Sequence, residues 1–559
     1  MLSTNMQKLT TPFIQTGRFS KIITDYLNAD NVLSPYYTYA PDSNNFELII
    51  KGKQEEFLNR AELVEVLEKQ YANTTTSSLV KNNIQAFGKT NTFCIVTAHQ
   101  LNIFTGPLYV IYKTVSAIKL CSTLQQQFPQ YQFVPVFWLG SEDHDFEEIN
   151  HTSVFGKSFT WEDKQGGACG EYSTTSIAEL CNTLFEAIGD GPHAASLKNI
   201  FTAAYLHGHN LAQATRILLN SLFQDYGLVI VDGNDTQFKA NCATIMQDEL
   251  FNQSSEKIVN KVLATFPYEA QAKPRNVNLF YLQPKLRERI IYHSDKDIFE
   301  INNTSITFSP EQLKKEILLH PENFSPNVIL RPLFQQKVLP SLAYIGGGGE
   351  IAYWLQLKSL FEYHHIQFPM LLLRDSFLLV DEAAQKKLNK LEISVDHLFG
   401  EEQHVIADYV KTHSSDAINL DAEKTAISEL FSGIITKATS IDTSLDKAVM
   451  AEQQAVMTSF AKLEAKLLKA EKAKMEVEIN QIKGLLTKLF PNGGLQERSE
   501  NFTAWYLKFG PDFIKMLLEN AQQPVNGFSS ILVSSNYSRF FLSQNLLYLC
   551  QISVSIAEI

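Results

Sequence analysis

Residues 93–151 carry two short apolar runs with a helical pattern between them, and this stretch limits the fold more than any other. Phe93-Cys94-Ile95-Val96 is apolar and partly β-branched, which predicts a buried strand that stops at the polar Thr97-Ala98-His99-Gln100. A Thr105-Gly106-Pro107 turn leads into residues 108–120, where Val110, Ile111, Val115, Ile118 and Leu120 recur close to helical spacing. A second buried strand, residues 134–139, ends in Gly140-Ser141-Glu142-Asp143-His144-Asp145. Strand, helix and strand in this order predict a right-handed βαβ unit with parallel strands.

Ligands of such sheets bind beyond the carboxyl ends of the strands. Those ends carry His99 and Gln100 on one strand and Glu142, Asp143, His144 and Asp145 on the other. The concentration of polar groups at both ends makes His99, Glu142, Asp143, His144 and Asp145 the candidate catalytic residues. Gln100, Thr105 and Gly106 beside them are candidate binding residues. Taken singly, each of these residues is equally at home capping a helix or solvating a loop.

A second cluster lies downstream. Ala343-Tyr344-Ile345 finishes a strand, Gly346 to Gly349 makes a tight loop, and Glu350 opens a helix to about Tyr363. Backbone amides in such a loop suit a phosphate or a carboxylate. No Lys-Ser/Thr follows, so this is not a Walker loop, and close packing of helix on sheet is the competing explanation. The charge of Glu350 opposes an anion and suits a ribose hydroxyl or an ammonium, while Arg331 supplies positive charge. Arg374 ends a last apolar strand at 370–375. Arg331, Tyr344, Gly346, Gly347, Gly349, Glu350 and Arg374 complete the candidate substrate- and nucleotide-binding set.

The stretches TAHQLNIFTGPLYVIYK, PVFWLGSEDHDFEEINH and LRPLFQQKVLPSLAYIGGGGEIAYWLQL resemble the bacillithiol-biosynthesis cysteine-adding enzyme family (the BshC family). The resemblance extends over essentially the whole chain. It departs from the family pattern at Ala98 and Gly348, where the family carries Gly and Pro. It implies a Rossmann-like core related to class I aminoacyl-tRNA synthetases, with inserted connecting segments and a coiled-coil dimerisation region. It also implies attachment of cysteine to glucosaminyl-malate.

The rest of the chain agrees with an α/β enzyme. A formal charge of -12 over 559 residues opposes nonspecific nucleic-acid binding, which needs a basic surface. The Lys285–Arg289 cluster reads as a solvated helical face. The six cysteines are scattered without a CxxC pair or zinc spacing, which predicts a reduced, cytoplasmic chain without a protein-bound metal. No run approaches the ~20 apolar residues that cross a bilayer, and no signal peptide is evident.

The predicted fold class is a Rossmann-like parallel-sheet core with inserted connecting segments and an α-helical coiled-coil region. Residues 1–155 form its N-terminal part, 156–225 a mainly helical insertion, and 226–255 a core strand, with candidate Asp232 at its end, and a helix. Residues 256–326 make a second mixed insertion, 327–385 the core with the glycine loop, 386–492 the coiled coil, and 493–559 a segment docking back on the core. Within the helical region, Ile434, Ala438, Ile441, Leu445 and Ala448 form an a/d stripe. Val456, Phe460, Leu463, Leu467 and Ala470 continue it, followed by Met475, Ile479, Ile482, Leu486 and Leu489. Such a stripe buries itself in a hairpin or a dimer. The aromatic cluster at Phe502, Trp505, Tyr506 and Phe509 reads as structural, with final strand-like runs at 531–533 and 540–542.

An amide ligase must activate a carboxylate, most simply by adenylation, and deprotonate an amine. On that expectation ATP or ADP binds at the strand ends, with magnesium where the phosphates need it. His99 donates to phosphate oxygens, Glu142, Asp143 or Asp145 holds an ammonium, and His144 is the general base. No KMSKS-like lysine motif is present. Two other classes use the same features: a sugar-nucleotide glycosyltransferase, and a coiled-coil scaffold with a nucleotide-binding core.

Overall fold

The two apolar runs become the strands Thr92–His99 and Gln132–Leu139, paired in parallel from Thr92 against Gln132 to His99 against Leu139. The first is longer than its apolar run because Thr97 is buried and its hydroxyl donates to the Ile345 carbonyl, so the polar residues remain in the sheet. This computed structural model describes residues 7–414, 420–525 and 527–533. By contacts the chain divides into two units, Met1–Leu378 with Gln496–Ile559, and Leu379–Leu495.

The first unit is built on a five-stranded parallel sheet. In spatial order its strands are Met370–Leu373, Ser341–Gly346, Thr92–His99, Gln132–Leu139 and Val229–Asp232. The chain starts in the middle at the His99 strand, steps outwards twice on one side, then returns to the other side. The topological switch point therefore lies between His99 and Gly346, where a doubly wound sheet opens its crevice. Helix Tyr109–Gln127 packs on both the His99 and Leu139 strands. It is buried all round from Val110 to Ile118, which explains an apolar pattern wider than one stripe. Phe93, Ile95, Leu120, Leu124, Ile345 and Leu372 share one core on this side of the sheet. Full burial of each large aliphatic or aromatic side chain contributes about 1.5–3 kcal/mol.

Several expectations change in detail. The Lys285–Arg289 cluster is not a helical face: it belongs to the hairpin strands Leu279–Gln283 and Leu286–His293, and Arg287 is buried. Pairing with the neighbouring strand sets the Arg287 guanidinium against the Ser325 hydroxyl, a contact that a charge-rich run conceals. The expected strand at 305–308 shrinks to Thr307–Phe308. The run at 531–533 belongs to strand Phe528–Val533, which pairs antiparallel with Gln7–Thr11. The run at 540–542 and Cys550 lie outside the described residues. The other five cysteines are buried free thiols.

In the second unit, helices Asp421–Ile441 and Leu445–Lys474 pack together as a hairpin. The Lys424 ammonium lies 2.6 Å from Glu464 across it. The a/d stripe divides between two fates. Ala438 is buried and Val456 and Phe460 are half-buried, whereas Ile434, Ile441, Leu445, Leu463 and Leu467 are exposed. The last block is buried at Ile479, Ile482, Leu486 and Leu489.

One turn of the first unit is held far more tightly than its length suggests. Phe104, Thr105 and Gly106 all take positive φ, at 52°, 68° and 62°. Such backbone is unfavourable for the two non-glycine residues. Buried Asn501 holds them by donating to the Phe104 carbonyl at 2.8 Å, the Gly106 carbonyl at 2.7 Å and the Thr152 hydroxyl at 3.1 Å. Asn501→Ala should destabilise the protein by about 1–3 kcal/mol for each buried carbonyl left without a donor. Chemical denaturation measures this. A loss below about 0.5 kcal/mol, the size of an ordinary surface change, would mean that the turn holds itself.

Candidate active site

At the switch point the His99 ring stacks on Tyr109, with centroids 5.2 Å apart and Nε2 3.0 Å from the Tyr109 hydroxyl. One helical turn along, the buried Lys113 donates to the Ala98 carbonyl at 2.8 Å and forms an ion pair with Glu350. Glu350 also accepts from the Tyr344 hydroxyl at 2.5 Å and from the Gly347 amide at 2.8 Å. Burial pushes the Glu350 carboxyl up, but the Lys113 ammonium and these hydrogen bonds outweigh it and hold the group at about 2. Burial lowers His99 to about 3, and the Lys113 charge acts in the same direction. The imidazole at the end of the central strand is therefore neutral at ordinary pH.

The expected glycine loop is shorter than four residues. The strand runs through Gly346, helix Gly348–Trp354 follows at once, and Gly347 is the one residue between them. The expected continuous helix to Tyr363 is instead two, the second being Lys358–Tyr363. Because the Gly347 amide is given to Glu350, the turn does not fit a phosphate: its donor is taken and a carboxylate stands in front of it. Gly349 is exposed.

The two arginines are also engaged. Arg331 donates to Gln335 at 2.9 Å and to the Tyr353 hydroxyl at 3.1 Å, and lies over the Tyr344 and Trp354 rings. Tyr344 itself is fully buried against Trp354. Arg374 is buried and lies 2.6 Å from Glu497, with its guanidinium over the Tyr109 ring. It thus positions the ring on which His99 rests.

The acidic turn stands one strand away. Gly140 allows its close start: its amide donates to the His99 carbonyl at 2.8 Å, and a Cβ there would lie 3.0 Å from that oxygen. Glu142 pairs with buried Lys239 at 2.9 Å. Asp143 accepts from Gln100 at 2.6 Å and lies 3.6 Å from Arg287. Burial raises Asp143, but hydrogen bonds from His144 and Gln100 and the Arg287 charge outweigh it, so the carboxyl stays below its ordinary value. Gln100 donates a second bond to Glu148 at 2.7 Å. The backbone of the first insertion closes on the same turn, from the Cys169 amide to Asp143 and the Gly170 amide to Ser141.

His144 corrects an expectation. Its Nδ1 lies 2.6 Å from Arg287 Nη1, and a guanidinium can only donate. The lone pair that a neutral imidazole would use as a base is already accepting, which argues against His144 as the general base. Asp145 and Glu148 remain exposed carboxylates at the rim. Asp232, the further candidate, accepts from the Ser141 hydroxyl and the Asn234 amide and ties two strand ends together.

The structure thus gathers His99, Tyr344, Gly347 and Glu350 at the switch point, and Gln100, Glu142, Asp143 and His144 at the neighbouring strand end. Thr105 is buried, and the Gly106 carbonyl is bound by Asn501, so this turn serves as framework. Lys113, Tyr109, Lys239, Arg287 and Glu497 contact these residues or one another, and the sequence reading does not single them out. Lys113 has a visible signal, a lone lysine within Tyr109-Val110-Ile111-Tyr112-Lys113-Thr114-Val115. Arg287 and Glu497 have none, because each meets its partner across more than a hundred residues.

The neutral His99 has a thermodynamic consequence. An unfolded chain takes up this proton near 6.5, whereas the folded one resists to about 3. Stability therefore falls as pH drops through that window, by up to about 1.4 kcal/mol per pH unit, and the penalty is absent above the unfolded value. Relative to the unaltered protein, His99→Asn should gain stability between pH 7.5 and pH 5 in urea titrations. A difference that does not change with pH would show that His99 titrates normally.

With the geometry established, comparison with known proteins places the chain. Residues 6–375 match the family model for the BshC N-terminal Rossmann-like domain, and residues 377–533 match the model for the BshC C-terminal coiled-coil domain. From Gln496 onwards the second region packs in the first unit. A Flavobacterium johnsoniae protein named "Putative cysteine ligase BshC" is 42% identical over 93% of this chain and 98% of its own length. A Christiangramia forsetii protein of the same name is 40% identical over 90% and 95%. A solved Campylobacter jejuni chain, "putative arginyl t-RNA synthetase", covers 83% of this chain and 98% of its own at 13% identity, but its TM-score of 0.21 is too low to bear on the fold. The chain belongs to the BshC family of bacillithiol biosynthesis, with its Rossmann-like core and coiled-coil domain.

Proposed function

We propose that this protein is a cysteine ligase that joins the carboxyl of L-cysteine to the amine of glucosaminyl-malate, the last step of bacillithiol biosynthesis. The observation that carries the reading is a pair of adjacent strand ends, with His99 held neutral by burial at one and the exposed carboxylates Asp145 and Glu148 just beyond the other, in a chain of this family. A free carboxylate is a poor electrophile, so the reaction needs an activating co-substrate. ATP with magnesium would convert the cysteine carboxylate to an acyl-adenylate, releasing pyrophosphate; attack by the amine then expels AMP and loses a proton.

The residues divide by chemistry. Asp145 and Glu148 suit an ammonium and can take the proton that the amine loses. Neutral His99 offers a hydrogen bond where charge develops, without the repulsion that a second cation would bring to an incoming amine. The phosphates of ATP have no assigned place at the glycine turn, because Glu350 fills it. The protein acts in the cytoplasm as a homodimer. The exposed row Ile434, Ile441, Leu445, Leu463 and Leu467 supports that assembly, since a second copy would cover it.

Two measurements test this. Mass spectrometry of purified protein with cysteine and glucosaminyl-malate should reveal the amide product when ATP and magnesium are supplied. Product without ATP would keep the substrates and remove adenylation; absence of product beside an active cell extract would reject the protein as a sufficient ligase. Leu463→Glu with Leu467→Glu should convert the dimer to a monomer in sedimentation. An unchanged dimer would place the interface elsewhere.

A further inference from the structure

We propose that Lys113 is a positioning residue, whose buried ammonium ties the end of the His99 strand to Glu350 and so holds the imidazole and the glycine turn in one fixed arrangement. The inference rests on the reading of the switch-point crevice as the reaction site.

The geometry is specific. Lys113 rises from the first turns of helix Tyr109–Gln127, whose first residue is the ring stacked on His99. Its Nζ bonds the carbonyl of Ala98, the residue before His99, and the carboxylate of Glu350. Glu350 in turn grips the Gly347 amide and the Tyr344 hydroxyl. One ammonium thus spans the two strand ends that flank the switch point, beyond the last rung of pairing between them, Thr97 against Ile345.

An ammonium sealed in this way is costly unless it has work that an apolar side chain cannot do. Packing alone does not require it, since its helical neighbours Val110, Ile111, Ala117 and Leu120 are apolar and buried. Its effect is electrostatic as well as mechanical. The charged groups acting on His99 are Lys113, Glu350 and Arg374, with the Tyr109 hydroxyl bonded to the ring. Arg374 is already matched by Glu497. Glu350 is therefore the group that would draw a proton onto His99, and Lys113 is the group that cancels it. Burial is the largest influence that keeps the ring neutral and Lys113 adds to it; without Lys113 the carboxylate faces the imidazole alone, and the ring takes up a proton more readily.

The test reads the histidine directly and without substrate. Full-length protein labelled at histidine Cε1 is titrated by NMR from pH 4 to 9, with the His99→Asn spectrum identifying the His99 signal. In the unaltered protein His99 should not titrate between about pH 5 and 8. In Lys113→Met its titration should move upwards into the measured range, whereas in Glu350→Gln and in the double variant it should stay below that range. A folded Lys113→Met whose His99 signal does not move overturns the proposal.

If Lys113→Met does not fold, the double variant decides. Recovery of folding on removing the carboxylate supports the electrostatic role, and failure to recover assigns Lys113 to packing and overturns it. Failure of the ligase reading would appear in the product assay alone, because this titration needs no turnover.

Discussion

The His99 strand has parallel neighbours on both sides, and that constraint orders everything around it. Its backbone groups are taken up by Ser341–Gly346 on one side and Gln132–Leu139 on the other. Its residues from Phe93 to Val96 are fully buried. Such a strand has no room for chemistry along its length, so polar function emerges only where it ends. Reversal of strand order beside this strand then leaves a gap between its end and Gly346. The crevice follows from topology before any side chain is considered.

The charges at these strand ends are arranged in pairs that neutralise each other. Lys113 meets Glu350, Arg374 meets Glu497, Lys239 meets Glu142, and Arg287 meets Asp143. Buried pairs of this kind add little net stability, because the desolvation of each ion offsets much of the attraction. Removing one partner is another matter, since it leaves an uncompensated charge inside. The site is thereby made sensitive to single substitutions at positions that touch no substrate. Asp145 and Glu148, by contrast, are left exposed.

The sheet was legible in the sequence because burial on both faces leaves continuous apolar runs, and because the polar residues sit at their ends. The positions of His99, Gln100, Glu142 and Asp143 at strand ends, and of Glu350 at the start of a helix, were legible for the same reason. Their partners were not. A lysine in a helix is ordinarily solvated, so Lys113 reads as surface unless its apolar neighbours on every side are weighed. Arg287 sits in a run that looks like a charged helix, and only pairing with Leu279–Gln283 turns it inwards. The glycine run suggested a loop for anions. The capping carboxylate three residues on, which takes the amide for itself, is a local pattern that sequence could have supplied.

The acidic turn depends on distant parts of the chain. Cys169 and Gly170 bind its backbone from the first insertion, and Arg287 holds Asp143 and His144 from the second. Neither insertion adds a strand to the parallel sheet, yet both set the shape of a turn at its edge. The turn has too few residues to hold four polar side chains in place by itself. With the insertions folded against it, those side chains are ordered before a substrate arrives, and the entropy of arranging them is spent in folding rather than in binding. The insertions are thus part of the site, and a chain trimmed to its Rossmann-like strands would keep the sheet while losing the arrangement at its edge.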